Sequence, residues 1–407
     1  MPLPVFIFVE SNTTGTGPLF FDRARALGFR PLLFCRDVSR YRFLSQANIL
    51  GGNDAVSCVD TTDLAALLER CQDVARAQDV AGIFSSSEYF IASAAWLAQE
   101  FHLPGGDPDA IRLCRNKAWQ RSRLTCCGDV NPRYATASTV EAAVRGARSI
   151  GLPVVTKPTH GTGSIGVRLC TSIAEIQEHA ATLLEDVTLA HSEILIEEMI
   201  EGPEYSVEIF NGNVLGITKK HLGRLPHFVE IGHDFPAPLP PSDAAALSTA
   251  AAAAAGALGL RWGPVHVELR LTADGAKIME VNPRLAGDMI PELIRHAYGV
   301  DLIRETILLA AARSASMLPL MNNNAAIRFF LPERTGIFAG IEGLDALRAR
   351  ACVVDLQVYP AIGTAVTLRG DFRDRVGHFI AAAATPETLA ACLATIPAGV
   401  RVKLEQP

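Results

Sequence analysis

The sequence predicts an α/β protein of several domains, the first of which is an open parallel sheet. Short apolar strands alternate with helical stretches over residues 1–110, which is typical of a parallel sheet covered by helices. A hairpin with polar residues on one face follows at residues 265–284, and strand-like segments separated by Gly and Pro return after Asn322. At 407 residues, the chain is long enough for two or three domains with their own cores.

The first domain is expected to open with a buried strand at residues 5–9. A helix near residues 19–27, a strand at 31–35, a helix at 63–77 and a strand at 82–85 follow in order. Glu88 comes just after the last of these strands, at the edge where open α/β sheets bind ligands. Either Glu88 faces a cleft, or this Ser-rich run only caps the next helix.

A glycine-rich loop follows the strand predicted at residues 154–158, and its composition is that of a phosphate-binding loop. Residues 160–167 contain three glycines and two hydroxyl residues. Glycine lets backbone N–H groups approach an anion closely, and a lysine at the strand end adds positive charge. The residues assigned to phosphate are Lys157, His160, Gly161, Gly163 and Ser164. The loop lacks the Gly-Lys-Ser/Thr ending of a Walker loop, and a glycine-rich hairpin without function is the alternative.

The hairpin at residues 265–284 carries two carboxylates and an amide that indicate a metal site. If its Asp-Gly turn centres on Asp274, Glu268 and Glu280 lie opposite each other, because each is six residues from that centre. Side chains alternate along a strand, so Asn282 shares the face of Glu280. Opposed carboxylates, with Cβ atoms roughly 4.5–5.5 Å apart, repel unless a proton or cation intervenes. Hard oxygen ligands favour Mg²⁺ or Mn²⁺, and a solvent-facing strand pair is the alternative.

Five separated motifs resemble those of the ATP-grasp superfamily of carboxylate-amine ligases. In order, they are Lys117, Lys157 with its glycine loop, residues 197–204, Glu268 and residues 280–284. The resemblance covers roughly residues 1–330, and residues 228–236 and 280–288 are most similar to L-amino-acid ligases, which make dipeptides. It implies an ATP-grasp fold with an N-terminal Rossmann-like parallel-sheet domain and a C-terminal lid or cap subdomain. The implied domains are residues 1–110, 111–190, 191–315 and 316–407.

The resemblance also implies roles for individual residues. Lys117 and Lys157 correspond to the two phosphate-binding lysines. Those that correspond to the interdomain hinge and ribose acid, where adenosine binds, are Glu197, Glu198, Ile200 and Glu204. Those that correspond to the magnesium ligands are Glu268, Glu280 and Asn282. Arg284 corresponds to the catalytic arginine that neutralises an acyl phosphate or a substrate carboxylate. For residues 197–204, the alternative is a solvated face, of which such an acidic run is typical.

Residues 219–236 form the predicted substrate-recognition segment. Charged and histidine side chains concentrate there between prolines, a composition that rigid scaffolds often use for recognition. The resemblance places Glu230 and His233 near the amino-acid substrate, with an exposed loop histidine as the alternative. It assigns a further phosphate contact to Lys219 or Lys220 without fixing which one.

The implied reaction uses ATP and Mg²⁺ or Mn²⁺ to join a small-molecule carboxylate to an amine, with amino acids as the expected substrates. Two alternatives remain open. One is a biotin-carboxylase-like reaction on bicarbonate, although the chain lacks an Ala-Met-Lys-Met biotin-acceptor motif. The other is a non-catalytic nucleotide-binding subunit, which loss of a metal ligand or phosphate lysine would favour, and none is missing. Similar enzymes often form homodimers.

Bulk properties exclude several other classes of protein. The net charge is −6, with no dense Lys/Arg cluster, so no nucleic-acid partner is expected. The opening residues lack a basic targeting region and form too short an apolar stretch to span a bilayer. The nine cysteines include no Cys-x-x-Cys pair. They are expected to be reduced and structural, which favours a cytoplasmic location.

Overall fold

The computed structural model describes residues 2–46, 55–161, 163–186, 193–396 and 400–406, which form thirteen α-helices and nineteen β-strands. Thr162 of the glycine loop and the expected domain boundary at residue 190 lie outside these ranges. The strands form one parallel sheet, near the N-terminus, and three antiparallel sheets. None of the described helices is both long and apolar enough to cross a membrane.

The N-terminal region forms the predicted parallel sheet. Its elements are β1 (Val5–Val9), α1 (Gly17–Ala26), β2 (Arg30–Cys35), α2 (Phe43–Gln46), β3 (Val56–Cys58), α3 (Leu64–Ala77), β4 (Val80–Phe84) and α4 (Ile91–Glu100). The strand order is β3-β2-β1-β4, so the order reverses at β1. Ligands bind in open α/β sheets at the carboxyl ends of the strands beside such a reversal. Glu88 follows β4 at this edge of the sheet, and its carboxylate accepts a hydrogen bond from Arg284 of a later region.

The second region carries the glycine loop on a four-stranded antiparallel sheet. Its elements are α5 (Pro108–Arg115), α6 (Lys117–Leu124), β5 (Tyr134–Ala137), α7 (Val140–Ile150), β6 (Val154–Pro158), β7 (Arg168–Cys170), α8 (Ile173–Glu185) and β8 (Ile194–Glu198). The strand order is β5-β8-β6-β7, and the glycine loop joins β6 to β7. Apolar residues of α7 and α8 pack together on this sheet, so the loop projects from a rigid base.

The third region contributes most of an eight-stranded antiparallel sheet. Its elements are β9 (Glu204–Phe210), β10 (Asn213–Leu222), β11 (Glu230–Phe235), α9 (Pro241–Ala257), β12 (Pro264–Thr272), β13 (Gly275–Asn282), α10 (Ile290–Tyr298) and α11 (Leu302–Ala310). The alanine-rich α9 packs on β12 and β13, with Ala251 and Ala254 fully buried. In contrast, α11 returns to α1, where Ile303 and Ile307 complete the core of the first sheet.

The last stretch of chain is continuous with this sheet. Its elements are β14 (Asn324–Phe330), β15 (Gly336–Glu342), α12 (Leu344–Arg348), β16 (Val353–Val358), β17 (Ala365–Val366), β18 (Gly377–Ala383), α13 (Pro386–Ala394) and β19 (Arg401–Glu405). The sheet order is β13-β12-β9-β10-β11-β14-β18-β16, so β14 pairs directly with β11. The remaining strands form a small sheet in the order β17-β15-β19.

The junction between β11 and β14 leaves no room for a side chain at Gly232. A Cβ at this position would lie 2.5 Å from the carbonyl oxygen of Ile327. We expect Gly232→Ala to lower the free energy of unfolding by about 2 kcal/mol, as measured by urea denaturation. Gly256→Ala is the matched control: Gly256 lies in α9 with no described neighbour within 4 Å of an added Cβ, and alanine favours helix. Equal effects of the two variants would contradict close packing at this junction.

Two of the nine cysteines form a disulfide, so the expectation of fully reduced cysteines is wrong for this pair. Cys352, immediately before β16, is bonded to Cys392 in α13. Cysteine connectivity cannot be deduced from spacing alone, which is why the sequence did not reveal the bond. The other seven cysteines are free, and burial raises the pKa of Cys71 to about 12, so that thiol is inert at neutral pH. The expectation of reduced cysteines, which favours a cytoplasmic location, therefore rests on these seven cysteines alone.

Candidate active site

One cavity lies where the glycine loop, β8, and the β12–β13 hairpin meet. Its lining includes fifteen of the residues that the sequence assigns to a site. They are Lys117, Lys157, His160, Gly161, Gly163, Ser164, Glu197, Glu198, Ile200, Glu204, Glu230, Glu268, Glu280, Asn282 and Arg284. The others are Glu88, which is hydrogen-bonded to Arg284, His233, which is buried beneath the sheet surface, and the lysine predicted at position 219 or 220.

The β12–β13 hairpin places Glu268 opposite Glu280, as predicted. The turn itself is not centred on Asp274, because Thr272 pairs with Gly275. That register alone would bring Glu268 opposite Met279. A bulge at Met279 shifts the pairing by one residue, and this shift restores the opposition of the two carboxylates.

The donor atoms of the hairpin fit a hard divalent cation. Within the described ranges, no set of three or more His, Cys, Asp or Glu side chains could hold a metal ion by itself. Glu268, Glu280 and Asn282 supply two carboxylates and an amide oxygen on one wall of the cavity. Mg²⁺ and Mn²⁺ accept such oxygens and keep water or phosphate oxygens as their other ligands. The residues therefore suit a metal that is shared with a bound nucleotide.

Lys220, rather than Lys219, faces the cavity residues. Its Nζ lies 2.8 Å from Glu268, 3.2 Å from Glu230 and 3.4 Å from Glu204. Burial alone would lower the pKa of Lys220, but the three carboxylates raise it well above its usual value. The side chain is therefore a fixed ammonium among the groups predicted to bind metal, substrate and ribose.

Lys117 is positioned by the start of α6. The Asn116 side chain accepts hydrogen bonds from the first turn of this helix, and the Lys117 N–H donates to the Thr159 carbonyl at 2.8 Å. Lys117 Nζ then donates to the Gly161 carbonyl at 2.7 Å and pairs with Glu280 at 3.0 Å. The lysine therefore links the glycine loop to the β12–β13 hairpin. A phosphate chain would lie between the loop and the hairpin.

Lys157 belongs to a buried ion cluster beneath the glycine loop. Glu197 accepts from Arg121 Nε at 2.5 Å and pairs with Lys157 Nζ at 2.6 Å, while Arg121 Nη2 donates to the Met279 carbonyl at 2.6 Å. Burial alone would raise the pKa of Glu197, but Arg121 and Lys157 lower it to about 2. Glu197 therefore acts through its carboxylate to position Lys157, in addition to its place beside the predicted hinge.

This cluster makes stability depend on acid pH. Because the folded pKa of Glu197 is depressed, its stabilisation is complete above its unfolded value near 4.5 and is lost as pH falls toward 2. We expect this group to contribute about 3 kcal/mol to the loss of unfolding free energy across that window. In urea titrations at pH 5 and pH 2.5, Glu197→Gln should show a correspondingly smaller pH dependence. An equal pH dependence in both proteins would contradict the depressed pKa.

The predicted hinge follows β8. The Glu198 carboxylate accepts from the Arg133 Nε at 2.7 Å, so this side chain braces the end of the strand. The Ile200 carbonyl accepts from Arg270 Nη1 at 2.6 Å, and the Glu204 carboxylate accepts from Arg270 Nε at 3.0 Å. Arg270 thus fixes the spacing between the hinge and the acid predicted to bind ribose.

Sequence reasoning missed Arg270 and His266, although strand alternation could have found them. Both are two residues from Glu268 and share its face of β12. His266 Nε2 lies 3.1 Å from Glu268, and its Nδ1 lies 3.0 Å from Glu208. Burial alone would lower the pKa of His266, but Glu208 and Glu268 raise it to about 9. The imidazolium therefore orients the Glu268 carboxylate at neutral pH.

Glu88 and Arg284 join the N-terminal region to the residues that follow the β12–β13 hairpin. Arg284 Nε and Nη2 donate to Glu88 Oε2 at 2.9 Å and 2.6 Å. Burial alone would raise the pKa of Glu88, but Arg284 and Lys117 lower it, so the carboxylate is charged. The alternative of a serine cap is wrong, because α4 has Phe90 at its N-cap without a side-chain hydrogen bond.

The substrate-recognition segment divides between the cavity and the core. Glu230 lines the cavity and accepts from Arg375 Nη2 at 2.8 Å. His233 does not line it, because its side chain is fully buried with Nε2 3.1 Å from Asp288. β11 alternates, and His233 points toward Phe329 and the sheet interior. The alternative of an exposed loop histidine is therefore wrong, whereas the position of His233 near the substrate stays a prediction.

Comparison with protein families and curated proteins agrees with this geometry. The chain matches the ATP-grasp domain over residues 150–292 and the L-amino acid ligase C-terminal domain 2 over residues 328–405. It is 36% identical over 379 residues to an uncharacterized protein of Sinorhizobium fredii, covering 93% of this chain and 78% of that protein. It is 32% identical over 241 residues to carnosine synthase 1 of Gallus gallus, covering 54% of this chain but only 26% of that enzyme.

The fold also matches a solved ligase structure over its whole length. Superposition on the crystal structure of L-amino acid ligase from Bacillus licheniformis gives a TM-score of 0.80 at 21% identity and covers 100% of both chains. At this identity, the likeness concerns the fold. The two family matches show that the chain carries an ATP-grasp domain followed by an L-amino acid ligase C-terminal domain 2.

Proposed function

We propose that the chain joins the carboxylate of one small molecule to the amine of another, with amino acids as substrates, and converts ATP to ADP and phosphate. The observation that carries this proposal is a cavity lined by Lys117, Lys157, the opposed Glu268 and Glu280, and Arg284. The match to an L-amino acid ligase C-terminal domain supports an amino-acid substrate.

The proposed chemistry follows from the poor reactivity of a carboxylate. An amine cannot displace oxide from it at neutral pH. Transfer of the terminal phosphoryl group of ATP to a carboxylate oxygen gives an acyl phosphate and ADP. The amine then attacks the carbonyl carbon, phosphate leaves, and the amine loses a proton. Such a transfer requires positioning and charge neutralisation from the protein more than covalent chemistry.

The residues of the cavity can supply both requirements. We assign Lys117 and Lys157 to the phosphates and Glu204 to the ribose hydroxyls, whose hydrogen bonds it would accept. Glu268, Glu280 and Asn282 would hold Mg²⁺ or Mn²⁺, which neutralises phosphate charge when bound. These roles agree with the positions of the side chains around one cavity.

Arg284 is proposed to neutralise the negative charge of the acyl phosphate or of the substrate carboxylate. Its guanidinium is held by Glu88 and lies close to the metal hairpin, where an acyl phosphate would form. A planar fork suits a carboxylate or phosphate group. Glu230 lines the same cavity, where its side-chain oxygens would accept hydrogen bonds from an ammonium group of a substrate.

We also propose the domain boundaries, the class of partner, the cellular location and the oligomeric state. The four regions at residues 1–110, 111–190, 191–315 and 316–407 serve as domains, although β14 joins the last two through one sheet. The partners are small molecules rather than nucleic acid or membrane, which the net charge of −6 supports. We place the enzyme in the cytoplasm, where ATP is available, and as a homodimer by analogy with similar enzymes.

The proposal is tested by ADP release from ATP and magnesium with amino acids added singly and in pairs. We expect release to depend on amino acids and a product whose mass equals two substrates less water. Release that depends only on bicarbonate would instead indicate a carboxylase. ATP binding without turnover in every pool would favour the non-catalytic alternative.

A further inference from the structure

We propose that residues 370–375, called here the clamp turn, hold the glycine loop closed over the cavity, with Phe372 as the positioning residue. The clamp turn belongs to the C-terminal region, between β17 and β18, and includes the short 3₁₀ helix Phe372–Asp374. Its catalytic consequence rests on the proposed function, whereas its effect on nucleotide binding does not.

The contact between Phe372 and Gly163 is close and specific. A Cβ at Gly163 would lie 2.3 Å from Phe372 Cδ1 and 2.8 Å from Cε1. Gly163 also has a φ of +66°, a left-handed conformation that glycine adopts without strain. The Phe372 N–H points to the Gly163 carbonyl at 3.5 Å. The aromatic ring therefore lies directly on the backbone of the predicted phosphate loop, and only glycine permits this approach.

The clamp turn is stiff, although its aromatic ring is not part of a core. The Asp374 carboxylate accepts from the N–H groups of Arg369 and Gly370, both at 2.8 Å. The Asp371 carboxylate accepts from the Arg373 N–H at 2.9 Å, and both aspartates are buried. Phe372, in contrast, is 39% exposed. The half-exposed ring packs on the glycine loop from a turn that is held by hydrogen bonds, which makes it suited to bind and release that loop.

The clamp turn also contacts the substrate-recognition segment. A Cβ at Gly370 would lie 2.8 Å from the His227 ring, so this ring packs directly on the backbone of Gly370. The next residue, Phe228, lines the cavity, and its carbonyl accepts from Ser164 Oγ of the glycine loop at 3.2 Å. Three segments therefore meet over the cavity: the glycine loop, residues 223–229 and the clamp turn.

Arg375 ties the same turn to the substrate end of the cavity. Its guanidinium donates to Glu230 at 2.8 Å and to Asp288 at 2.5 Å, and stacks 4.0 Å above the Phe329 ring. A substrate that engages Glu230 acts on Arg375, three residues from Phe372. The clamp turn thus couples occupancy of the substrate end to closure of the phosphate loop. Closure excludes water, so its loss should favour hydrolysis of the acyl phosphate over attack by the amine.

The first test compares Phe372→Ala with Phe372→Tyr and with Ile362→Ala, a 78% exposed apolar residue of the same C-terminal region. We expect Phe372→Ala to weaken binding of a non-hydrolysable ATP analogue about 10-fold by calorimetry, a change of about 1.4 kcal/mol. It should also raise the ratio of ADP to ligated product several-fold above one. Phe372→Tyr should keep the affinity and the ratio of ADP to product at their wild-type values, because it keeps the ring. Ile362→Ala should also match the wild type.

A double-mutant cycle tests the contact itself. Gly163→Ala should weaken analogue binding in the wild-type background, because its Cβ collides with Phe372 in the closed loop. In the Phe372→Ala background, the fold-loss of analogue affinity caused by the same substitution should be about 10 times smaller, since only the backbone strain remains. Additive effects of the two substitutions would overturn the clamp.

The outcomes separate the clamp from the proposed function. If no amino-acid pool gives product, but analogue affinity follows the pattern of the Phe372 variants, the ligase proposal fails and the clamp stands. If product forms, and Phe372→Ala behaves like Ile362→Ala in affinity and in the ratio of ADP to product, the clamp is overturned.

Discussion

Glu280→Gln is expected to lower kcat by about 10³-fold and to leave the fold intact. The substitution keeps the shape of the side chain and removes the charge opposite Glu268 on the hairpin. Without that charge, a shared metal loses a strong ligand, and Lys117 loses its partner at 3.0 Å. Both effects act on the groups proposed to neutralise phosphate charge, so the chemical step should suffer more than folding.

The measurement is steady-state ADP release together with thermal unfolding of the same preparation. Glu342→Gln is the matched control, because it makes the same chemical change at an exposed carboxylate whose nearest cation is Lys403 at 3.9 Å. We expect wild-type kcat in that control and similar unfolding temperatures in both variants. A Glu280→Gln enzyme with wild-type kcat would refute the metal assignment.

Arg284→Lys is expected to lower kcat/KM for the carboxylate substrate by about 10²-fold, while the affinity for an ATP analogue stays nearly unchanged. Lysine keeps the positive charge but lacks the planar fork that now donates twice to Glu88 and once to the Leu285 carbonyl. A group that must grip a carboxylate or acyl phosphate therefore loses its geometry, not its charge.

Initial rates at varied carboxylate concentration, with calorimetry of analogue binding, separate these effects. Arg123→Lys is the control, because Arg123 is exposed and its Nε donates to the Ala257 carbonyl of α9 at 3.3 Å. If Arg284→Lys impairs analogue binding as strongly as turnover, Arg284 belongs to the nucleotide site, and its assignment to substrate is wrong.

The sequence predicts most of the site because each part follows from short-range rules. Alternation along a strand placed Glu280 and Asn282 on one face, and glycine content marked the phosphate loop. The bulge at Met279 is different, because a one-residue shift of register depends on how β13 packs against its neighbours. The opposition of Glu268 and Glu280 was therefore predicted correctly from a turn position that the structure does not have.

Other parts of the site depend on contacts between distant segments. Arg375 reaches Glu230 from a turn 145 residues away, and Glu88 reaches Arg284 across 196 residues. No local pattern marks such pairs. The same limit explains His233: a histidine in a polar segment reads as a surface group until β11 pairs with β14 and encloses it. It also explains the Cys352–Cys392 bond, whose partners meet only when α13 packs on the last strands.

The most direct test of the central claim is the fate of oxygen during ligation. A carboxylate substrate labelled with ¹⁸O in both oxygens is converted with ATP and an amine, and the released phosphate is analysed by mass spectrometry. Formation of an acyl phosphate predicts one ¹⁸O atom in phosphate for each amide bond formed. Product formation with unlabelled phosphate would contradict the account, since it would show that the carboxylate oxygen never accepted the phosphoryl group.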